Sequence, residues 1–391
     1  MITFSMAQRM ERLWTEGAFE VLAKARALEA QGKEIVHLEI GEPDFDTPAN
    51  IVEEGIQALR KGETHYSPSA GIMPLRQEIA SYLSRTRKIK VSPDEVVVTP
   101  GAKPVIAFVL LALIDPGDEV VYPNPAYPAY ESVINFAGGK AVPLPLLEER
   151  EFCFNVGDLE KAITPRTKLI VLNSPENPTG GVLTEDDLRQ IADLAQKHNL
   201  LVLSDEIYSR ILFEGEFHSI ASLQGMKERT ILVDGFSKTY AMTGWRLGYA
   251  AMPLPLAEKV TKLEINVNSC TATFTQWAGI EALKGPQDSV LRMVGEFKKR
   301  RDVIVEGLNR IKGIHCRKPK GAFYVFPNIK EIGKDQDFIA DYLLREAGVA
   351  ALAGTAFGEY GKGYLRFSCA NSVENIQRAL DRIESALAKL R

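Results

Sequence analysis

The chain has 391 residues, of which 45% are hydrophobic and 25% charged, and its formal net charge is -4. This length is ample for one large domain and a smaller one. The composition is typical of a globular protein and excludes both a disordered tail and a basic, nucleic-acid-coating protein.

The N-terminal segment, MITFSMAQRMERLW, has no apolar stretch of the kind that secretory signals carry. The longest apolar run, residues 105–114, is much shorter than the roughly 20 residues that a membrane span needs. We therefore predict a cytoplasmic protein without a membrane partner. A predicted helix from Phe19 to Leu28 leads into VHLEIGEPDF, a segment that could pack with either domain.

From about residue 50 to 250, short apolar runs alternate with segments of helical period. The runs are DEVVVT, GDEVVYP, TKLIVLNSP, LLVLSDEIY, TILVDGFS and LGYAAMP. They lack polar alternation, as expected of strands buried on both faces. Helices such as LRQEIASYLSR and LRQIADLAQKH lie between them. This order predicts an α/β fold, a three-layer domain with a mostly parallel sheet and a ligand site at the carboxyl ends of its strands.

The pattern changes after residue 285. A long charged helix, VLRMVGEFKKRRDVIVEGLNRI, precedes two predicted strands, AFYVFP and GYLRFSC. A final helix presents Ile376, Leu380, Ile383 and Leu387 on one face. We predict a large α/β domain over residues 46–285 and a smaller α+β domain formed by residues 1–45 and 286–391.

The four cysteines are far apart in the sequence and form no C-x-x-C pair, so neither a zinc knuckle nor a disulfide framework is predicted. A reducing compartment fits this usage. No H-E-x-x-H, P-loop or G-x-G-x-x-G motif occurs. We predict no metal site and no nucleic-acid partner.

Two charged residues follow apolar strands. Asp205 ends LLVLSD, and a buried carboxylate there is costly unless a cation or several donors face it. The alternative is a helix N-cap, because Ser and Asp are common before helices. Lys238 follows TILVDGFS. A lone lysine is usually solvated, but small and aromatic neighbours can desolvate an amine, lower its pKa and permit Schiff-base chemistry.

Three further segments could bind polar or anionic groups. Residues 173–181, NSPENPTGG, form a turn by composition alone. Gly101, in TPGAKP, opens a predicted helix whose free N–H groups suit a phosphate. Arg366 lies in an apolar strand, where it either forms an internal ion pair or clamps a carboxylate.

Taken together, these segments resemble the class I aminotransferases of the fold-type I pyridoxal-phosphate enzymes. The resemblance rests on SK-x-x-x-M-x-GWR-x-G-Y, N-x-PTG and SDE-x-Y, and it extends from IGEPDFDTP to YLRFS. GEPDFDTP and AMTGWR are similar to the bacterial aspartate aminotransferase branch. The resemblance implies a mostly parallel seven-stranded sheet in a large domain that binds pyridoxal 5'-phosphate, with a smaller α+β domain beside it.

The resemblance also implies the catalytic roles. Lys238 would form the Schiff base and later move a proton at the substrate Cα. Asp205 would pair with the pyridine nitrogen, Asn177 and Tyr208 would hydrogen-bond the 3'-oxygen, and Tyr127 would stack on the ring. Lys238, Asp205 and Tyr208 are thus the predicted catalytic residues.

The cofactor phosphate would lie on the N–H groups of Gly101 and Ala102, with Ser237 and Arg246 beside it. The resemblance also implies a homodimer, in which Tyr66 of HYSPSAG reaches the neighbouring active site. The complete predicted set of cofactor contacts is Tyr66, Gly101, Ala102, Lys103, Tyr127, Asn177, Asp205, Tyr208, Ser237, Lys238 and Arg246.

For the substrate, the resemblance implies that Arg366 grips the α-carboxylate, helped by Asn177 and the N–H of Gly41. The chain departs from the aspartate enzymes in having Tyr127 where they usually have Trp. The region VNSCTATFTQ lacks the arginine that animal-type enzymes use for a distal carboxylate. Lys103 is the candidate instead, so aspartate and 2-oxoglutarate are favoured, while aromatic or other amino donors remain open.

Other chemistries on the same scaffold also remain open. A β-lyase, a cyclopropane-forming synthase or a decarboxylase would keep the same lysine, aspartate and arginines, because fold does not decide the reaction. A ligand-sensing transcription factor would need a DNA-binding domain, and only about 40 residues precede IGEPDFDTP. A catalytically inactive homologue would be expected to lose Lys238 or Asp205.

Overall fold

The structure of the protein is a computed structural model that describes residues 4–390. A seven-stranded sheet forms the centre of its larger part. After the short β1 (Val36–His37), the strands of this sheet are β2 (Val96–Thr99), β3 (Glu119–Asn124), β4 (Lys140–Pro145), β5 (Thr167–Asn173), β6 (Leu201–Asp205), β7 (Thr230–Gly235) and β8 (Gly248–Ala251).

The spatial order of these strands is β2-β8-β7-β6-β5-β3-β4. Among them β8 runs opposite to the other six. Each of the six apolar runs contains one strand, which confirms the predicted mostly parallel sheet. The seventh strand, β4, is an edge strand of mostly half-buried residues, and its sequence KAVPLP did not suggest a covered strand.

Helices cover both faces of the sheet. In chain order, the α-helices of the described residues are α1 (Gly17–Glu29), α2 (Ala49–Arg60), α3 (Met73–Arg87), α4 (Ala102–Leu113), α5 (Ala129–Ala137), α6 (Val156–Ala162), α7 (Glu185–Lys197), α8 (Leu254–Val267), α9 (Thr273–Lys284), α10 (Asp288–Arg310), α11 (Gln336–Tyr342) and α12 (Val373–Lys389), of which α10–α12 belong to the smaller part. In residues 4–390, no helix combines the length and the apolar character required to cross a membrane.

Alternate residues of the central strands enter different cores. In β5, Leu169 and Val171 pack with the core under α4, α5 and α8, whereas Ile170 and Leu172 pack with the core under α6 and α7. Because successive side chains of a strand point to opposite faces, burial on both sides requires helices on both faces. The larger part therefore has three layers, as predicted.

A smaller α+β part follows. Its strands are β9 (Tyr324–Val325), β10 (Val349–Ala350), β11 (Leu352–Ala353) and β12 (Leu365–Ser368), and β11, β12 and β9 form an antiparallel sheet. The predicted strands AFYVFP and GYLRFSC contain β9 and β12. Helix α12 buries Ile376, Ile383 and Leu387, as its amphipathic pattern predicts.

The N-terminal segment contacts both parts. Strand β1 pairs in parallel with β10, so Val36 lies opposite Val349. Upstream, the 3-10 helix Gln8–Arg12 packs against α5, and the backbone N–H of Trp14 donates to Ser132 Oγ at 2.9 Å. The domain boundary at residues 45 and 46 stays a prediction.

The carboxyl ends of three neighbouring strands meet at one edge of the large sheet. Asn173 at the end of β5 is in register with Asp205 at the end of β6. Asp205 is in register with Val233, shortly before the segment that carries Lys238. Parallel strands leave a crevice at this edge, where ligands bind in open α/β sheets.

Candidate active site

A cavity of about 450 Å³ lies between this sheet edge, the start of α4 and the smaller part of the chain. Residues from distant parts of the sequence line it. Those predicted from sequence are Gly41, Ala102, Lys103, Tyr127, Asn177, Asp205, Tyr208, Ser237, Lys238, Arg246 and Arg366. Its volume is in the range of small-molecule sites.

Asp205 is a buried carboxylate held by two donors. Its Oδ2 accepts from the hydroxyl of Tyr130 at 2.7 Å, and its Oδ1 accepts from the backbone N–H of Ile207 at 3.2 Å. Burial raises the pKa of Asp205 to about 6, although the hydrogen bond from Tyr130 opposes that shift. No helix begins after β6, so the helix N-cap interpretation of Asp205 is wrong.

Lys238 lies in the turn that follows β7 and points into the cavity. Its Nζ donates to the carbonyl oxygen of Gly41 at 2.5 Å and lies 5.9 Å from the centroid of the Phe323 ring. Burial lowers the pKa of Lys238 to about 8. This is the desolvated amine that the small and aromatic neighbours predicted.

The start of α4 forms an anion-binding corner. Gly101 has φ 92°, a backbone conformation that favours glycine, and its Cα lies close to the guanidinium of Arg246. Arg246 donates to the carbonyl oxygens of Thr243 and Pro100 at 2.8 and 3.2 Å. Ser237 lines the same cavity. The free N–H groups and dipole of α4 add positive potential at this corner.

Arg366 of β12 is buried in the opposite wall. Its Nη1 donates to Asn177 Oδ1 at 3.2 Å, and its Nη2 donates to the carbonyl oxygen of Glu39. The guanidinium carbon lies 4.5 Å from the centroid of the Tyr324 ring and 4.8 Å from that of Phe357. The buried Nε has no partner. Because an unpaired buried donor is costly, Arg366 is suited to an anionic ligand rather than to an internal ion pair.

Glu39, whose carbonyl oxygen accepts from Arg366, is itself held by a histidine. His37 Nδ1 lies 2.7 Å from Glu39 Oε1, and its Nε2 lies 3.0 Å from Glu29 Oε1. The hydrogen bond to Glu39 raises the pKa of His37 to about 9. The fully buried carboxylate of Glu39 thus has a cation beside it.

A buried ion cluster supports the ends of β6 and β7 from behind. Arg87 Nε donates to Glu206 Oε2 at 2.6 Å, and its Nη2 donates to Asp234 Oδ2 at 3.0 Å. All three side chains are almost completely buried. Glu206 directly follows Asp205, so this cluster fixes the backbone on which the site carboxylate stands.

Several site residues have no motif in the sequence. Tyr130 donates to Asp205, and the hydroxyl of Tyr324 lies 2.8 Å from that of Tyr208. Glu16, just before α1, accepts from the hydroxyl of Tyr127 at 2.9 Å and pairs with Lys103. Of these residues, only Tyr130 could have been suspected from the sequence. It follows Tyr127 by three residues in NPAYPAY, a spacing that places two side chains on the same side of a helical turn.

Tyr66 does not line the cavity of its own chain. Its side chain is 89% exposed. The prediction for Tyr66 concerns the neighbouring subunit of a dimer, so it stays a prediction.

Comparisons with known proteins agree with this geometry. The family model described as aminotransferase class I and II matches residues 33–383. The chain is 44% identical to an aspartate aminotransferase of Pyrococcus abyssi over 91% of this chain and 92% of that protein. It is 43% identical to aromatic-amino-acid aminotransferase 2 of Thermococcus litoralis over 92% and 93% of the two chains.

Solved structures give the same result. The structure of the Thermus thermophilus aspartate aminotransferase with maleate superposes with a TM-score of 0.95 at 38% identity. The match covers 98% of this chain and all of that one. Similarity of this extent includes both the larger and the smaller part of the chain.

Proposed function

The chain belongs to the class I and II aminotransferase family, and from that premise we propose that it binds pyridoxal 5'-phosphate in the cavity around Lys238. Its fold is that of the fold-type I transferases. Three groups support this proposal: the amine of Lys238, the carboxylate of Asp205 and the anion-binding corner at Gly101. They come from different strand ends, yet they line or border one cavity, and this convergence carries the proposal.

The donor set fits this cofactor. The N–H of Ala102, the guanidinium of Arg246 and the hydroxyl of Ser237 would hold its phosphate. The N–H of Gly101, which the sequence also suggested, donates instead to the carbonyl oxygen of Thr99 at 2.7 Å. Tyr127 would cover one face of its ring. When bound, pyridoxal phosphate supplies an aldehyde and an electron-withdrawing ring that stabilises negative charge at the substrate Cα.

Asp205 would hold the proton of the pyridine nitrogen. Its carboxylate is fixed by Tyr130 and by the N–H of Ile207. A buried carboxylate beside a ring cation favours the protonated form of that ring. Asn177 and Tyr208 would donate hydrogen bonds to the 3'-oxygen of the cofactor.

Lys238 would act as the acid and base of the reaction. Its pKa of about 8 leaves a useful share of neutral amine near neutral pH. Once displaced by substrate, the free amine of Lys238 would be placed to accept the proton of the substrate Cα. The same amine would deliver that proton two bonds from Cα, to the cofactor carbon on the other side of the shared nitrogen.

Arg366 would bind the substrate α-carboxylate. Arg366 lines the cavity, its Nη1 donates to Asn177, and its buried Nε has no partner within the protein. The rings of Tyr324 and Phe357 hold the guanidinium plane in place. The N–H of Gly41 would add a donor to the same carboxylate.

We propose a ping-pong exchange in which aspartate and 2-oxoglutarate are the favoured pair. Lys103 lines the cavity and would bind the distal carboxylate. The similarity to aspartate aminotransferases supports this choice. The relative named for aromatic amino acids supports a second class of donor.

A donor panel tests the function. The protein is incubated with aspartate, glutamate, phenylalanine and alanine, each with 2-oxoglutarate or pyruvate as acceptor. We expect amino transfer, with the cofactor absorbance passing to the pyridoxamine form on addition of donor and returning on addition of acceptor. Release of pyruvate and ammonia without an acceptor would instead identify a β-lyase.

The active unit is proposed to be a homodimer. Tyr66 is 89% exposed in its own chain, and its predicted place is at the phosphate of the neighbouring site. Sedimentation of the purified protein, together with the cofactor affinity of Tyr66→Phe, tests this proposal. A stable monomer with full activity would contradict it.

A cytoplasmic location is proposed on the basis of the cysteines. Cys153, Cys316 and Cys369 are buried as free thiols, and burial raises the pKa of each above the usual thiol value. Such thiols fit a reducing compartment.

A further inference from the structure

Glu16 occupies the wall of the cavity where the distal end of a substrate would lie. It immediately precedes α1, lines the cavity and is 22% exposed. One of its oxygens, Oε1, accepts from the hydroxyl of Tyr127 at 2.9 Å and also pairs with Lys103 Nζ. The ammonium group lies 5.6 Å from the centroid of the Tyr127 ring. A carboxylate, an ammonium group and a phenol thus form one small cluster.

Within this cluster, the ammonium group of Lys103 is already paired with a carboxylate, that of Glu16. Lys103 is the cation proposed for the distal carboxylate of aspartate or 2-oxoglutarate, yet the protein already supplies it with a carboxylate. A substrate carboxylate has the same charge and the same acceptor geometry as the side chain of Glu16. The two therefore compete for one ammonium group.

We propose, on the basis of the aminotransferase function above, that Glu16 is a specificity-determining residue, an internal carboxylate that a dicarboxylic substrate displaces from Lys103. For a substrate with an uncharged side chain, the Glu16–Lys103 pair stays closed. The wall is then neutral, and Leu352 and Phe357, which line the same cavity, offer apolar surface. One cavity can thus accept two chemical classes of side chain.

The exchange requires little movement. Glu16 and Lys103 are both part-exposed, so either side chain can turn into solvent without moving buried atoms. Part-exposed ion pairs contribute little free energy, so an incoming carboxylate can replace Glu16. Because the free energy of this ion pair is small, a substitution of Glu16 can change substrate affinity only by a small factor.

The test compares two substrate analogues that lack the amino group, succinate and 3-phenylpropionate. Calorimetry measures the dissociation constants of both for the cofactor-loaded protein and for its Glu16→Gln variant. Removing the competing carboxylate should tighten succinate binding about two- to five-fold. The dissociation constant of 3-phenylpropionate should stay the same, because that acid does not use Lys103.

Glu20→Gln is the matched control. Glu20 lies one turn further along α1 and accepts from Thr15 Oγ1 at 2.7 Å, without contact to Lys103. It reports the general effect of removing one negative charge near the site. Lys103→Gln should weaken succinate binding and leave 3-phenylpropionate unaffected.

An unchanged ratio of the two dissociation constants in Glu16→Gln would overturn the exchange, as would a shift equal to that of Glu20→Gln or weaker binding of succinate. These outcomes leave amino transfer intact. By contrast, a protein that binds neither acid and converts no amino donor would contradict the proposed function itself.

Discussion

Tyr130→Phe removes the hydroxyl that donates to Asp205 Oδ2 at 2.7 Å and keeps the ring. A hydrogen bond to a charged group contributes about 1.5–3 kcal/mol, which corresponds to about one to two pKa units. In the wild-type protein burial sets the pKa of Asp205 at about 6. In the variant we expect a higher pKa for Asp205, because the donor that opposed the effect of burial is gone.

The consequence is a loss of cofactor affinity on the acid side. Only ionised Asp205 attracts the pyridine proton, so affinity falls as pH drops through the pKa of its carboxyl group. At pH 7 the variant should bind pyridoxal phosphate about two- to tenfold more weakly, whereas at pH 9 the two proteins should be closer. The assay is a titration of the apoprotein with cofactor, followed by absorbance from pH 6 to 9.

Tyr122→Phe is the control for this experiment. It removes another buried phenol hydroxyl, one that accepts from Asn124 Nδ2 at 3.0 Å and does not contact Asp205. Its cofactor affinity should follow the wild-type pH profile. If Tyr130→Phe also followed that profile, the hydrogen bond to Asp205 would not set the charge of the carboxylate.

Three further predictions follow from buried charges. Arg366→Ala should weaken substrate binding by about 2–5 kcal/mol while the absorbance of bound cofactor persists, and an unchanged substrate affinity would disprove its role. His37 has its pKa raised to about 9 by Glu39, so its contribution to stability is complete below pH 6.5 and is lost as pH rises through 9. The free energy of unfolding in urea should fall over this pH range for the wild type and not for His37→Gln. The same dependence on pH in both proteins would refute the role of His37. Arg87→Met should cost about 3–5 kcal/mol of unfolding free energy, because two buried carboxylates lose their cation, whereas the exposed Arg85→Met should cost almost nothing.

The site residues that the sequence predicted stand where the chain leaves a strand or enters a helix. Asp205 follows an apolar run, Lys238 follows another, and Gly101 opens α4. The carboxyl ends of parallel strands share one edge, so these residues could be placed together before any distance was known. Arg366 belonged to a motif, but its unpaired Nε became visible only in the structure.

Other features depend on tertiary packing, which sequence pattern does not record. Glu16 reaches Lys103 from a segment without a motif, and Tyr130 reaches Asp205 across the sheet edge. Strands β10 and β11 have two residues each, too few for a period of two to be recognised. The helix N-cap interpretation of Asp205 failed because the chain turns after β6 instead of entering a helix.

The central claim is that Lys238 carries the cofactor, and its most direct test is to locate the attachment. The holoenzyme is treated with borohydride, which fixes the cofactor on its lysine, and is then digested and analysed by mass spectrometry. We predict that the added mass appears on Lys238 and is absent from Lys238→Ala. Modification of another lysine, with Lys238 unlabelled, would contradict the account.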